Sequence, residues 1–174
     1  MRLLPVVLAA CVSLPAWGAT TSAPPAELYF GLMNWAVRLS SYPAPRTMPT
    51  IQYVSQRFFD DEACGGHRCR VWGWYPNTGK NVVYVHEKVR DLLNDGSDPR
   101  STLAASIVVH EVVHYLQAAD RGFAAYDCNE ALQLEREAYQ AQSAYLVSFG
   151  RYTPVGVSMH TASCAGSASH ARIR

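Results

Sequence analysis

The segment His110-Glu111-Val112-Val113-His114 contains the residue types from which a zinc site with a general base can be built. Residues four apart project from the same face of an α-helix, so the two imidazoles could bind one ion at adjacent corners of a tetrahedron. Glu111 directly follows His110, which places its carboxylate within reach of a water activated by the ion rather than of the ion itself. The spacing therefore indicates metal-assisted hydrolysis.

The helix that would carry this segment is apolar on nearly every side. From Leu103 to Leu116 the sequence leaves almost no polar face, so we expect the helix to be largely enclosed. Its polar side chains fall in one narrow stripe, with Glu111 beside it: Ser106, His110, His114 and Gln117. The alternative is an ordinary buried helix with two satisfied core histidines. Burying a carboxylate and two imidazoles without partners is costly, and a metal ion supplies the partner.

A catalytic zinc of this kind needs a third protein ligand and an open position. Gln117 and Asp120 stand where one class of such sites has a glycine and a histidine, which excludes a third histidine ligand. Asp120 could ligate instead, but without the glycine turn it ranks below a glutamate from a later helix. The candidates there are Glu130, Glu135 and Glu137.

Two geometric arguments favour Glu135 among these acids. On a helical wheel it lies at the centre of the apolar face of the second helix, whereas Glu130 and Glu137 point the other way. If the two helices form an antiparallel hairpin with its loop near Ala124, His114 faces residue 134. The alternative for Glu135 is a buried acid paired with an arginine, and no arginine lies on the inner face of either predicted helix.

The zinc-binding segment and the later Glu135-Arg136-Glu137-Ala138-Tyr139 together resemble the gluzincin metallopeptidases, and they are also similar to secreted bacterial proteins of peptidase type. The resemblance implies that Glu135 is the third zinc ligand. It also implies a zincin-like α+β fold, in which a short antiparallel or mixed sheet packs on the zinc helix and its edge strand lines the cleft. Many members have an aspartate where this chain has Tyr139. The tyrosine hydroxyl could replace that aspartate as the partner of a zinc-bound histidine, or the ring could simply pack.

The expected function is that of a zinc peptidase: zinc held by His110, His114 and Glu135 activates water, and Glu111 accepts its proton. Four side chains are candidates for stabilising the oxyanion, and the sequence does not choose among Tyr139, Tyr126, His86 and His160. A peptide substrate could pair with the strand at residues 81–85. The alternatives are a zinc amidase acting on cell-wall peptides and a non-catalytic, zinc-containing binding module.

Periodicity and turn residues predict the elements that hold these residues. Apolar residues at helical spacing predict a helix over 26–39. Two long helices are predicted at 101–119 and from Asp127 to 149, the first capped by Ser101 and ended by Gly122, the second capped by an Asp127–Glu130 capping box. A strand is expected at 50–55, and a β-hairpin at 70–75 and 81–85 around the turn 76–79.

Composition limits the classes of partner. The 174 residues are 49% hydrophobic, and fifteen basic residues against fourteen acidic ones leave no dominant phosphate-binding surface. We therefore expect a peptide or protein substrate and no nucleic acid. No apolar run reaches the ~18 residues of a membrane span, so no such span is expected. Nothing in the sequence indicates the oligomeric state.

Residues 1–19 are typical of a secretory signal, with Arg2 followed by an apolar run that ends in small residues. A lipoprotein signal modified at Cys11 is the less favoured alternative. The predicted organisation is a signal at 1–19, one domain at 20–164 and a tail at 165–174, in a secreted or periplasmic protein. Four cysteines remain in that oxidising compartment and allow three pairings, of which we favour Cys64–Cys69 and Cys128–Cys164.

Overall fold

A computed structural model describes residues 23–164, which form an α+β structure of five helices and one small mixed sheet. The helices are α1 (Ala26–Ser40), α2 (Gln56–Phe58), α3 (Glu87–Asn94), α4 (Ser101–Asp120) and α5 (Cys128–Ser148). The strands are β1 (Thr50–Val54), β2 (Gly73–Trp74) and β3 (Val82–His86). A π-helical turn at Phe59–Ala63 continues α2, and a 3-10 helix at Val157–His160 follows α5. The predicted signal and tail lie outside the described residues.

The sheet has the order β1-β3-β2, with β1 parallel and β2 antiparallel to β3. The predicted hairpin is confirmed, although only Gly73 and Trp74 of its first arm pair with Val85 and Tyr84. The expectation that residues 81–85 could accept a peptide strand is wrong, because β3 is the central strand and has partners on both sides. The edge strand next to α4 is β2.

Helix α4 is the centre of the hydrophobic core, as its apolar sequence predicted. It packs against α1, α3, α5 and the sheet, and thirteen of its twenty residues are buried. The helix ends at Asp120, and the predicted stop signal, Gly122, follows two residues later. Its φ of 63° lets the backbone N–H of Phe123 return to the carbonyl of Ala118. The chain then reverses direction into α5, which packs along α4 and completes the helical hairpin.

Both long helices begin within one residue of the predicted position, but their caps differ. At α5, the Asp127 side chain accepts a hydrogen bond from the Glu130 N–H and the Glu130 side chain accepts one from the Asp127 N–H, so the capping box is confirmed. At α4, Ser101 is the first helical residue and caps nothing, so that prediction is wrong. The turn before α4 is instead held by Asp98, whose carboxylate accepts from the backbone N–H of Arg100.

Both favoured disulfides are present. Cys64–Cys69 closes the loop after the π-helical turn, and Cys128–Cys164 ties the segment after α5 back to the first residue of that helix. Arg136 on α5 also donates hydrogen bonds to the carbonyls of Met159 and Ala162, which holds the same segment along the helix. Within residues 23–164, no helix is both long and apolar enough to cross a membrane.

Candidate metal centre

The side chains of His110, His114 and Glu135 converge on one point between α4 and α5. The two Nε2 atoms lie 3.1 Å apart, and the Glu135 carboxylate oxygens lie 3.5 Å from His110 Nε2 and 3.3 Å from His114 Nε2. Three ligands bound tetrahedrally at ~2.0–2.2 Å from a zinc ion would be separated by about 3.3 Å. The two nitrogens and the carboxylate oxygens facing them are therefore separated by about the distance that a tetrahedral ion requires. Among the described residues, His110, His114 and Glu135 form the one such group of histidine, cysteine and acidic side chains.

Each ligand reaches this point because of local helix geometry and hairpin register. His110 and His114 lie one turn apart on the face of α4 that meets α5. The antiparallel register brings Leu134 beside Gln117, whose Nε2 donates to the Leu134 carbonyl at 3.0 Å. Glu135 is the residue after Leu134, so the antiparallel register predicted from the sequence correctly brings it close to His114.

The remaining acids that were considered as ligands lie elsewhere. Asp120 is exposed at the end of α4, and Glu130 pairs with Arg121 at 2.7 Å while it caps α5. Glu137 is half-buried on the far side of α5 from Glu135, where Tyr42 donates to it at 2.7 Å and Gln117 at 3.2 Å. None of the three belongs to the convergent group.

The metal-free cluster is strongly coupled electrostatically. Burial lowers the pKa of His110. Burial also opposes the charged form of His114, but the hydrogen bond and charge of Glu135 outweigh it and raise the pKa to about 9. Burial favours the neutral acid at Glu135, yet the two histidines outweigh it and hold its pKa well below the usual range. An ionised carboxylate thus faces two imidazoles, the arrangement that a divalent cation would bind on displacing one proton.

Glu111 is buried beside this cluster, with 7% of its surface exposed. Burial raises the pKa of its carboxyl to about 8, against the opposing effects of the His114 charge and of a hydrogen bond from the Tyr75 backbone. A carboxyl whose pKa is near neutrality can both accept and return a proton. Its place is made by Gly73 of β2, because a Cβ on that residue would lie 2.4 Å from Glu111 Cγ.

A cavity of about 910 Å³ opens over the cluster and runs along α4. Strand β2 and the residues after it form one wall, α5 forms another, and Val155 and Gly156 of the segment after α5 close a third side. At one end the lining is mainly apolar and includes Trp72, Leu92, Leu103 and Ile107. The side chain of Glu135 remains 38% exposed within this cleft. The three ligands are therefore accessible from the cavity.

The four candidate oxyanion donors are separated by the structure into two pairs. Tyr139 and Tyr126 line the cavity. The ring of Tyr139 packs on that of His110 with centroids 4.4 Å apart. His86 instead stacks on Phe59, and its Nδ1 accepts from the Lys88 N–H to cap α3. His160 is exposed in the 3-10 helix and is not part of the cavity lining.

Three residues at the site were given no role from the sequence. They are Gly73 beneath Glu111, and Gln117 and Gln142 behind the two histidines. Gln117 belongs to the polar stripe of α4 that also holds both histidines, and this pattern could have indicated a role at the site. Gln142 lies seven residues after Glu135 on the inner face of α5. A polar amide on that apolar face could also have indicated a role at the site. Nothing in the sequence around β2 indicated that Gly73 would lie against Glu111.

Comparisons of the chain with protein-family models, with curated proteins and with solved structures found no match.

Proposed function

We propose that the protein is a secreted zinc-dependent peptidase of the gluzincin type, with a zincin-like fold. The observation that carries the proposal is the meeting of His110, His114 and Glu135 at tetrahedral spacing with Glu111 buried beside them in one cleft. Two imidazoles and one carboxylate are a donor set that suits zinc. A zinc ion held there supplies Lewis acidity, which activates water and polarises a carbonyl.

Three protein ligands and an open cleft favour a catalytic site over a structural one. Structural zinc sites are closed by a fourth protein ligand and need no general base. Here the described residues offer three ligands, and Glu135 faces the cavity with its side chain partly exposed. This arrangement argues against the non-catalytic binding module.

The chain's own groups account for the proton transfers. Glu111 accepts a proton from the attacking water at its carboxylate and then delivers it to the leaving amine. The Tyr75 backbone lies beside this carboxylate and lowers the pKa of Glu111, against the larger effect of burial. Tyr139 and Tyr126 are the two hydroxyls in the cleft that could donate to the developing oxyanion.

The decisive experiment uses Glu111→Gln, which keeps the size of the side chain and removes its basicity. The mature protein is expected to bind one zinc ion, and to cleave a peptide library until a chelator is added. Glu111→Gln is expected to keep the zinc and lose the cleavage. Cleavage that survives in this variant contradicts the proposed mechanism.

The ligand set is tested by metal content at saturating zinc. Glu135→Ala is expected to lose the zinc ion, while Glu130→Ala keeps it, because Glu130 pairs with Arg121 outside the cluster. The reverse pattern would show that the third ligand is wrong. Activity on peptidoglycan fragments but not on casein would replace the peptidase with the cell-wall amidase.

A further inference from the structure

Each histidine of the metal centre has a glutamine side chain behind its ring. His114 Nδ1 lies 2.9 Å from Gln117 Oε1. On His110, Nδ1 is buried without a hydrogen-bond partner, and the side chain of Gln142 lies beside the ring. Both amides are almost fully buried, so their orientations are restricted by their other partners.

The orientation of Gln117 is determined by two acceptors. Its Nε2 donates to the carbonyl of Leu134 at 3.0 Å and to Glu137 Oε2 at 3.2 Å. Rotating the amide by half a turn would place its oxygen against both of these oxygens. The amide oxygen must therefore face His114, and it can only accept there, so His114 Nδ1 carries a proton.

The orientation of Gln142 follows from counting protons. The hydroxyl of Ser106 donates its single proton to the Leu103 carbonyl at 2.7 Å. Ser106 can then only accept from Gln142, whose Nε2 lies 3.1 Å away. The Oε1 end of Gln142 is then the end that can accept from His110 Nδ1, the buried nitrogen that has no hydrogen-bond partner.

We propose that Gln117 and Gln142 are positioning residues that fix both histidines in the Nδ1–H tautomer and direct the two Nε2 lone pairs at the metal position. The inference rests on the proposed function, since it assigns a role to residues around the same zinc site. Hydrogen bonds of this kind orient a metal-binding histidine and set which nitrogen is free.

The use of two amides also defines the charge of the centre. A carboxylate behind a histidine raises the basicity of the imidazole, whereas an amide orients the ring without adding a negative charge. Glu135 is then the one anionic ligand in the group. A bound zinc ion would keep a net charge of +1 and with it more of its Lewis acidity. Tyr139, at the aspartate position of the resembled family, packs its ring on His110.

The test compares the zinc affinity of variants by competition with a chromophoric chelator. Gln142→Leu and Gln117→Leu are each expected to weaken zinc binding ~10–100-fold. Gln142→Glu restores an acceptor for His110 and should bind zinc at least as tightly as the wild type. Gln140→Leu is the matched control, because Gln140 is exposed on the same helix, and its affinity should not change.

A spectroscopic readout separates positioning from general destabilisation. In zinc-loaded protein, proton NMR should show hydrogen-bonded Nδ1–H signals from both histidines. Gln142→Leu should shift the His110 signal upfield and leave that of His114 in place, and Gln117→Leu should do the reverse.

Wild-type affinity and unshifted signals in folded Leu variants would overturn this inference and leave the peptidase proposal standing. Zinc binding with the expected shifts but without peptide cleavage would overturn only the peptidase proposal. A Gln→Leu variant that does not fold is replaced by Gln142→Glu, where loss of zinc affinity would overturn the inference. A wild-type protein that binds no zinc overturns both.

Discussion

Replacing Gly73 by alanine should displace Glu111, the proposed general base, without touching a proposed metal ligand. A Cβ at this position would lie 2.4 Å from Glu111 Cγ and 2.6 Å from its Oε1. Carbon atoms in contact prefer a separation of ~3.5 Å, so the Glu111 side chain or β2 must move by about 1 Å. The clash involves the middle of a buried side chain, which cannot simply rotate into solvent.

A displacement of about 1 Å at a reacting group costs ~100-fold in rate. We therefore expect kcat/KM of Gly73→Ala for a cleaved peptide to fall ~100-fold, with one zinc ion still bound and its affinity unchanged. Overpacking should also destabilise the metal-free protein by ~1–3 kcal/mol in chemical denaturation. Gly96→Ala is the control, because a Cβ there meets open space.

A double-mutant cycle with Glu111→Ala isolates the clash. Because alanine at 111 removes the atoms that the new Cβ would meet, Gly73→Ala should cost less stability in that background, with a coupling of ~1 kcal/mol or more. Additivity within ~0.5 kcal/mol would refute the close approach. An unchanged kcat/KM in Gly73→Ala would refute the positioning of the base.

Three further predictions concern other parts of the site. Zinc binding to Glu111→Gln at pH 7.5 should release protons, measured by calorimetry in buffers of different ionisation enthalpy, because Glu135 raises the pKa of His114 and the ion displaces the proton held there. Below the pKa of His114, its proton competes with zinc for the imidazole. The zinc affinity should therefore rise as the pH is raised towards that pKa. Asp127→Ala should lose ~1 kcal/mol in denaturant unfolding, because it removes the cap of α5. Replacing both Cys128 and Cys164 by serine should keep the zinc but lower stability by ~2–4 kcal/mol and reduce peptide turnover, as the third wall of the cleft is released. Loss of zinc in that variant would contradict the assignment of the segment as a wall.

The convergence of His110, His114 and Glu135 was predictable because its determinants are local. Two histidines at i and i+4 on an apolar helix share a face whatever the rest of the fold does. The hairpin of α4 and α5 has a short connection, so a fixed rise per residue was enough to bring Glu135 opposite His114. The structure bears out this proximity at 3.3 Å.

The walls of the cleft were less predictable because they depend on distant pairings. The parallel pairing of β1 with β3 makes β3 the central strand, and no local pattern encodes it. Helix α3 spans eight residues, too few for its apolar period to be distinguished from an irregular segment. Whether a glycine of β2 would lie under Glu111 depends on both the sheet order and its packing on α4.

The three candidate ligands and the walls of the cleft come from different parts of the chain. His110, His114 and Glu135 all belong to one helical hairpin, whereas the cleft walls come from β2 and from the segment after α5. Contacts of low sequence separation form early and cheaply in folding, so the hairpin can assemble its ligands before the sheet is complete. In the proposed peptidase, the same division would let substitutions in the walls alter which peptides fit without moving the candidate ligands.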